Sequence, residues 1–108
     1  MTMRLKECTS QNVDELVAQE GGGLLHFGTD WCTPCKRLER VLLELLKENR
    51  LNVAVAKINV EDEPELASRF GVSKNPTLCL TRKGSVTARR EGFADAESVL
   101  AFVGGDTD

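Results

Sequence analysis

Two cysteines separated by two residues, in the run Trp31-Cys32-Thr33-Pro34-Cys35, are the side chains of this sequence best suited to covalent chemistry. Sulfurs at that spacing can close a small ring. One thiol can then attack a disulfide, and the other can displace it from the mixed disulfide that results. The same spacing is also half of a tetrahedral zinc site, but the other half is missing: Cys8 and Cys79 stand alone, and His26 is the single histidine. The redox reading is therefore preferred, and no metal is expected. Only the thiolate attacks, and free N–H groups and the dipole at a helix N-terminus stabilise it. Lys36 and Arg37, directly after the pair, push the same way. Pro34 lacks a backbone N–H that a first helical turn does not need, and its fixed φ stiffens the ring to be closed.

The elements around the pair can be read from periodicity. Leu24 to Phe27, between three glycines and Gly28, is a short apolar run that predicts a buried strand, and Val53 to Ile58 reads the same way. Between them, Cys35 to Arg50 sets Leu38, Val41, Leu42, Leu45 and Leu46 on one helical face, with Arg40 and Glu44 on the wet side. Strand, helix and strand predict a right-handed βαβ crossover with the cysteines at the helix mouth. Upstream, Met3 to Glu7 reads as an edge strand, and Asn12 with Glu15 as the cap of a helix ended by Gly21. Downstream, Asp62 and Pro64 open a short helix that Gly71 stops. Thr77–Thr81 and Val86–Glu91 flank Lys83-Gly84 as a hairpin, and a last helix runs from Asp95 to Gly104-Gly105. The predicted class is α/β, a central mixed sheet with helices on both faces, in one domain over 1–108.

Composition narrows the function. At 41% hydrophobic and 29% charged residues the chain is too apolar to be disordered. A net charge of -3 with scattered basic residues gives no stripe for a phosphate backbone, so nucleic acid is not an expected partner. No apolar run approaches a signal sequence or the ~20 residues of a membrane span, so a cytoplasmic location without membrane contact is expected. In that compartment disulfides tend to be transient and catalytic.

The run Trp31-Cys32-Thr33-Pro34-Cys35-Lys36, following a buried strand and opening a helix, resembles the thioredoxin family. Phe27, Lys57, Pro76, Gly84 and Gly92 also stand where members of that family have them, so the resemblance covers nearly the whole chain. It implies a thioredoxin fold and reduction of protein disulfides, with Cys32 as nucleophile and Cys35 as resolving thiol. It implies disulfide-containing substrate proteins and an NADPH-dependent thioredoxin reductase as partners, a monomer, and no resident cofactor. It further implies a cis Asn75-Pro76 peptide beside the site, Trp31 as a flat contact surface, and Thr33, Pro34 and Gly92 within the substrate groove. An oxidase or isomerase on the same fold, or a binding module without turnover, is the alternative.

The chain departs from the family at the site itself. His26 stands where a buried aspartate is usual, with Lys57 as its matched lysine, and strand alternation places both on one face of the sheet. Either a neutral His26 takes the Cys35 proton, directly or through water, or it is a core histidine with a satisfied hydrogen bond. Gly28 replaces a bulky residue, Thr33 a glycine, and Arg40 a kinking proline, so a straighter helix is expected. Cys79 and Cys8 read as small buried hydrophobes.

Overall fold

The βαβ unit around the cysteine pair is present in the computed structural model, which describes residues 5–105. In chain order the elements are β1 (Lys6–Glu7), α1 (Val13–Val17), β2 (Gly23–Gly28), α2 (Thr33–Lys47), β3 (Ala54–Asn59), α3 (Pro64–Arg69), β4 (Thr77–Arg82), β5 (Ser85–Glu91) and α4 (Ala96–Gly104). The strands form one sheet in the order β1-β3-β2-β4-β5. β3 runs parallel to both β1 and β2, while β4 is antiparallel to β2 and to β5. This is the mixed sheet expected, with β2 at its centre.

Alternation along β2 divides the core. Leu24 joins Leu38, Leu42 and Leu45 of α2, Leu78 and Leu80 of β4 and Val99 of α4 on one face. Leu25 and Phe27 join Val13 and Leu16 of α1, Ile58 of β3, Leu66 and Phe70 near α3, and Cys79 on the other. Leu38, Leu42 and Leu45 are all but completely buried. At about 1.5–3 kcal/mol for each leucine removed from water, this stripe is what presses α2 to the sheet and so fixes where its N-terminus sits. Arg40 does not interrupt the helix, which runs unbroken from Thr33 to Lys47.

The local signals differ from expectation at several ends. Asn12 occupies the start of α1, but its Oδ1 accepts from Thr9 N–H at 2.8 Å instead of capping the helix. That helix stops at Val17, and Gly22, with φ 94°, makes the turn expected of Gly21. At α3 the capping position is Glu63, not Asp62, without a side-chain bond. Asn59 Oδ1 takes the N–H groups of Glu61 and Asp62 instead. The first strand is only Lys6–Glu7, and Met3 and Arg4 lie outside the described residues. The start of α4 follows its signal: Asp95 Oδ1 accepts from Ser98 N–H at 2.9 Å. At the hairpin tip Lys83 and Gly84 have φ 52° and 88°, as a two-residue turn matched to strand twist requires. Glycine relieves the second of these positions.

Candidate active site

β2 ends at Gly28, and the chain turns through Thr29–Trp31 into α2, so the sheet aims the cysteine pair at its own C-terminal edge. Cys32 is the N-cap of α2, in extended conformation, and Cys35 lies in the first turn. The two form a disulfide, with Cα atoms 5.2 Å apart. Cys32 Sγ accepts from Cys35 N–H at 3.3 Å. The sulfur of Cys32 thus takes the place of an N-cap oxygen, where a helix stabilises negative charge. Lys36 and Arg37 are exposed in the same turn, and the Arg37 guanidinium lies 4.5 Å from the Phe93 ring centre, its charge shared with that face.

The other residues that the resemblance assigns to the site come from two directions. Phe27 pairs with Thr77 in the antiparallel ladder, which brings Pro76 to the Gly28 end of the sheet, the end from which Cys32 emerges. Asn75-Pro76 is cis, Asn75 is exposed, and Pro76 O accepts from Gly92 N–H at 2.8 Å. Thr33 and Pro34 lie at the mouth of α2, and both are exposed. Trp31 is 69% exposed, a large cost for an indole, and its Nε1–H donates to Glu61 Oε1 at 3.0 Å. That bond holds the ring on the surface.

Beneath the disulfide lies a polar cluster. His26, 3% exposed, pairs directly with Lys57 on β3 and with Leu78 on β4. Gly28 is the spacer between the imidazole and the resolving sulfur. A Cβ at that position would stand 2.8 Å from Cys35 Sγ and 3.3 Å from His26 Cε1, so any larger side chain on this backbone collides with the redox pair. Among the described residues neither imidazole nitrogen meets a protein partner at full hydrogen-bonding geometry. Burial depresses its pKa from 6.5 to about 4, opposed by the Glu39 carboxylate and reinforced by the Lys57 ammonium, so at neutral pH the ring is an uncharged base. Lys57 Nζ is 3.2 Å from Glu39 Oε2, and the same oxygen accepts from Leu5 N–H at 3.3 Å. A cavity of about 20 Å³, enough for one water, is lined by His26, Cys35, Glu39 and Lys57.

Sequence reading brought His26, Lys57 and Cys35 together but missed Glu39, Glu61 and the steric reason for Gly28. Glu39 had a signal: it is four residues from Cys35, hence on the same helical face. Glu61 had none. The free cysteines Cys8 and Cys79 are buried away from the pair, and burial raises both thiol pKa values, as befits inert core residues.

Comparison with known proteins agrees with this geometry. Residues 4–104 match the Thioredoxin family. Thioredoxin of Buchnera aphidicola is 36% identical over 101 residues, covering 93% of this chain and 94% of that protein. Thioredoxin of Chlamydia caviae is 34% identical over 99 residues, covering 92% and 95%. Among solved structures, a mutant thioredoxin of Halobacterium salinarum superposes with a TM-score of 0.86 at 29% identity, covering 100% of this chain and 97% of that one. A dithiol pair at a helix mouth, carried on that fold and matched along nearly its whole length, makes this chain a thioredoxin-type dithiol–disulfide oxidoreductase, and it belongs to the thioredoxin family.

Proposed function

We propose that this oxidoreductase works as a one-domain, monomeric electron carrier of the cytoplasm. In this reading it receives electrons from an NADPH-dependent thioredoxin reductase and delivers them to protein disulfides. The Cys32 thiolate attacks one sulfur of the substrate disulfide and expels the other as a thiolate, which takes up a proton. Cys35 passes its proton to neutral His26, attacks Cys32 Sγ and expels the second substrate sulfur, which is protonated in turn. Two electrons and two protons reach the substrate, and the Cys32–Cys35 disulfide remains. Trp31, Thr33, Pro34, Asn75, Pro76 and Gly92 form the surface on which the substrate chain lies, and Lys57 biases the imidazole toward its neutral form.

The observation that carries the reading is the placement of Cys32 Sγ as the helix N-cap, with Cys35 N–H directed at it. A position in a reducing compartment is supported by two buried cysteines left as free thiols. Among the described residues no helix is long and apolar enough to cross a membrane, and Trp31 and Val86 are the exposed large hydrophobics, scattered as on a monomer's surface. Insulin precipitation with dithiothreitol tests the function. The wild type should accelerate it, Cys32→Ser should not, and Cys35→Ser should accumulate a mixed disulfide with insulin. A Cys32→Ser protein as fast as the parent would end this account. Equilibration with glutathione and reduction by NADPH with thioredoxin reductase test the direction of electron flow.

A further inference from the structure

The resolving step creates a charge problem that the cluster under the disulfide must solve. When His26 takes the Cys35 proton, a buried imidazolium appears directly across the ladder from the Lys57 ammonium, on neighbouring strands whose backbones run about 4.8 Å apart. Two cations in a pocket of low polarity repel strongly, and Lys57 alone would hold the ring neutral. The groups facing His26 are few. Cys35 and Glu39 come from α2, Lys57 from β3 and apolar Leu78 from β4, with Glu7 and Asp30 at the margin of the shared cavity. Of the acids, Glu39 is the one whose carboxylate is fixed. Its Oε2 is held by Lys57 Nζ at 3.2 Å and by Leu5 N–H at 3.3 Å, with the Glu39 and Lys57 side chains only 20% and 16% exposed.

We propose that Glu39 is a positioning residue of the resolving step: it pins the Lys57 ammonium and supplies the negative charge that lets His26 become a cation. The placement follows from the helix. Glu39 is one turn beyond Cys35 on the same face, so the helix that carries the proton donor also carries the counter-charge. The Leu5 N–H gives the same carboxylate oxygen a second, backbone anchor. The strand residue His26 and the helix residue Glu39 thus divide two tasks, accepting the proton and balancing it. This inference rests on His26 being the proton acceptor.

Because His26 is the only histidine, its imidazole NMR signals can be followed without assignment ambiguity. The experiment measures its titration in oxidised protein, together with the pH profile of Cys35 attack on a Cys32–thionitrobenzoate mixed disulfide by stopped flow. The proteins are the wild type, Glu39→Gln, Glu39→Asp, Lys57→Met, the Glu39→Gln/Lys57→Met pair, and His26→Leu. Glu39→Gln should lower the imidazole titration by about 1 pH unit and slow resolution, and Lys57→Met should raise it by a similar amount. The double variant should return close to wild type, and Glu39→Asp should fall between wild type and Glu39→Gln. If Glu39→Gln folds poorly, the ordering of wild type, Glu39→Asp and the double variant decides the same question. An unchanged titration and rate profile in the Glu39 variants, with His26→Leu impaired, would overturn the role of Glu39 alone. A His26→Leu protein that resolves with the wild-type profile would overturn the acceptor reading beneath it.

Discussion

Lowering the pH should destabilise the oxidised protein through one side chain, His26, and the size of the effect can be worked from its burial. In the unfolded chain the imidazole binds a proton as pH falls through 6.5, but in the folded protein it does so only near 4. Between those values the unfolded state holds more protons, so folding stability declines as the solution is acidified, and below about 4 this contribution levels off. The interval of 2.5 pH units from 6.5 to 4, at about 1.4 kcal/mol each, limits the effect to roughly 3 kcal/mol. By pH 5 about 2 kcal/mol of it should already be gone. For a domain of this size that is a fall in Tm of roughly 9 °C. The assay is urea denaturation of oxidised wild type and His26→Leu from pH 7 to pH 4. Leucine changes the absolute stability but titrates nothing, and the other ionisable groups are common to both proteins. On the way down the wild type should therefore lose about 3 kcal/mol more than the variant. Parallel curves would mean that the fold does not hold a neutral imidazole, and the proton-acceptor role would lose its basis.

Gly28→Ala should destabilise the protein by about 1–3 kcal/mol, because its new methyl would have to displace Cys35 Sγ; a calorimetric Tm equal to wild type would refute the close approach. Phe27→Ala, which empties a fully buried site whose ring centre is 5.6 Å from that of Phe70, should cost about 3–5 kcal/mol in urea denaturation and leave the helix mouth intact. Iodoacetamide added to the reduced, native protein should label Cys32, while Cys8 and Cys79, whose thiols burial holds protonated, should react only after unfolding; peptide mapping by mass spectrometry reads the outcome. Asp95→Ala should lower the Tm by removing the bond from Ser98 N–H, and Asp95→Asn should retain most of it.

What could be read beforehand was whatever depends on one element at a time. The leucine stripe of α2 and the apolar runs of β2 and β3 have periods that survive in any context, and they were enough to put the cysteine pair at a helix mouth. Local polar signals were less reliable because they compete. Asn12 and Asp62 both look like caps, yet the Asn12 side chain turns back to Thr9, and the N–H of Asp62 is itself taken by Asn59. The site's polar floor was only half legible for a different reason. Alternation gives parity but not register, so it placed His26 and Lys57 on one face without showing that they are directly opposed.

Glu39 marks the limit of that kind of reading. On a helix wheel a glutamate next to Arg40 belongs to the solvated side, and its spacing of four from Cys35 is the one hint within α2 to the contrary. Its burial depends on the depth to which Leu38 and Leu42 draw the helix onto the sheet, and on Leu5 arriving from the far edge to donate to its carboxylate. The cluster is assembled from β2, β3, α2 and the residue before β1, four segments distant in sequence, and each polar member makes sense only with the others present. An imidazole beside an ammonium is a conflict; the same pair with a pinned carboxylate is a base whose charged form the protein can tolerate. Charge balance across elements, more than the identity of any one residue, is what would let a histidine do at position 26 the work an acid does elsewhere.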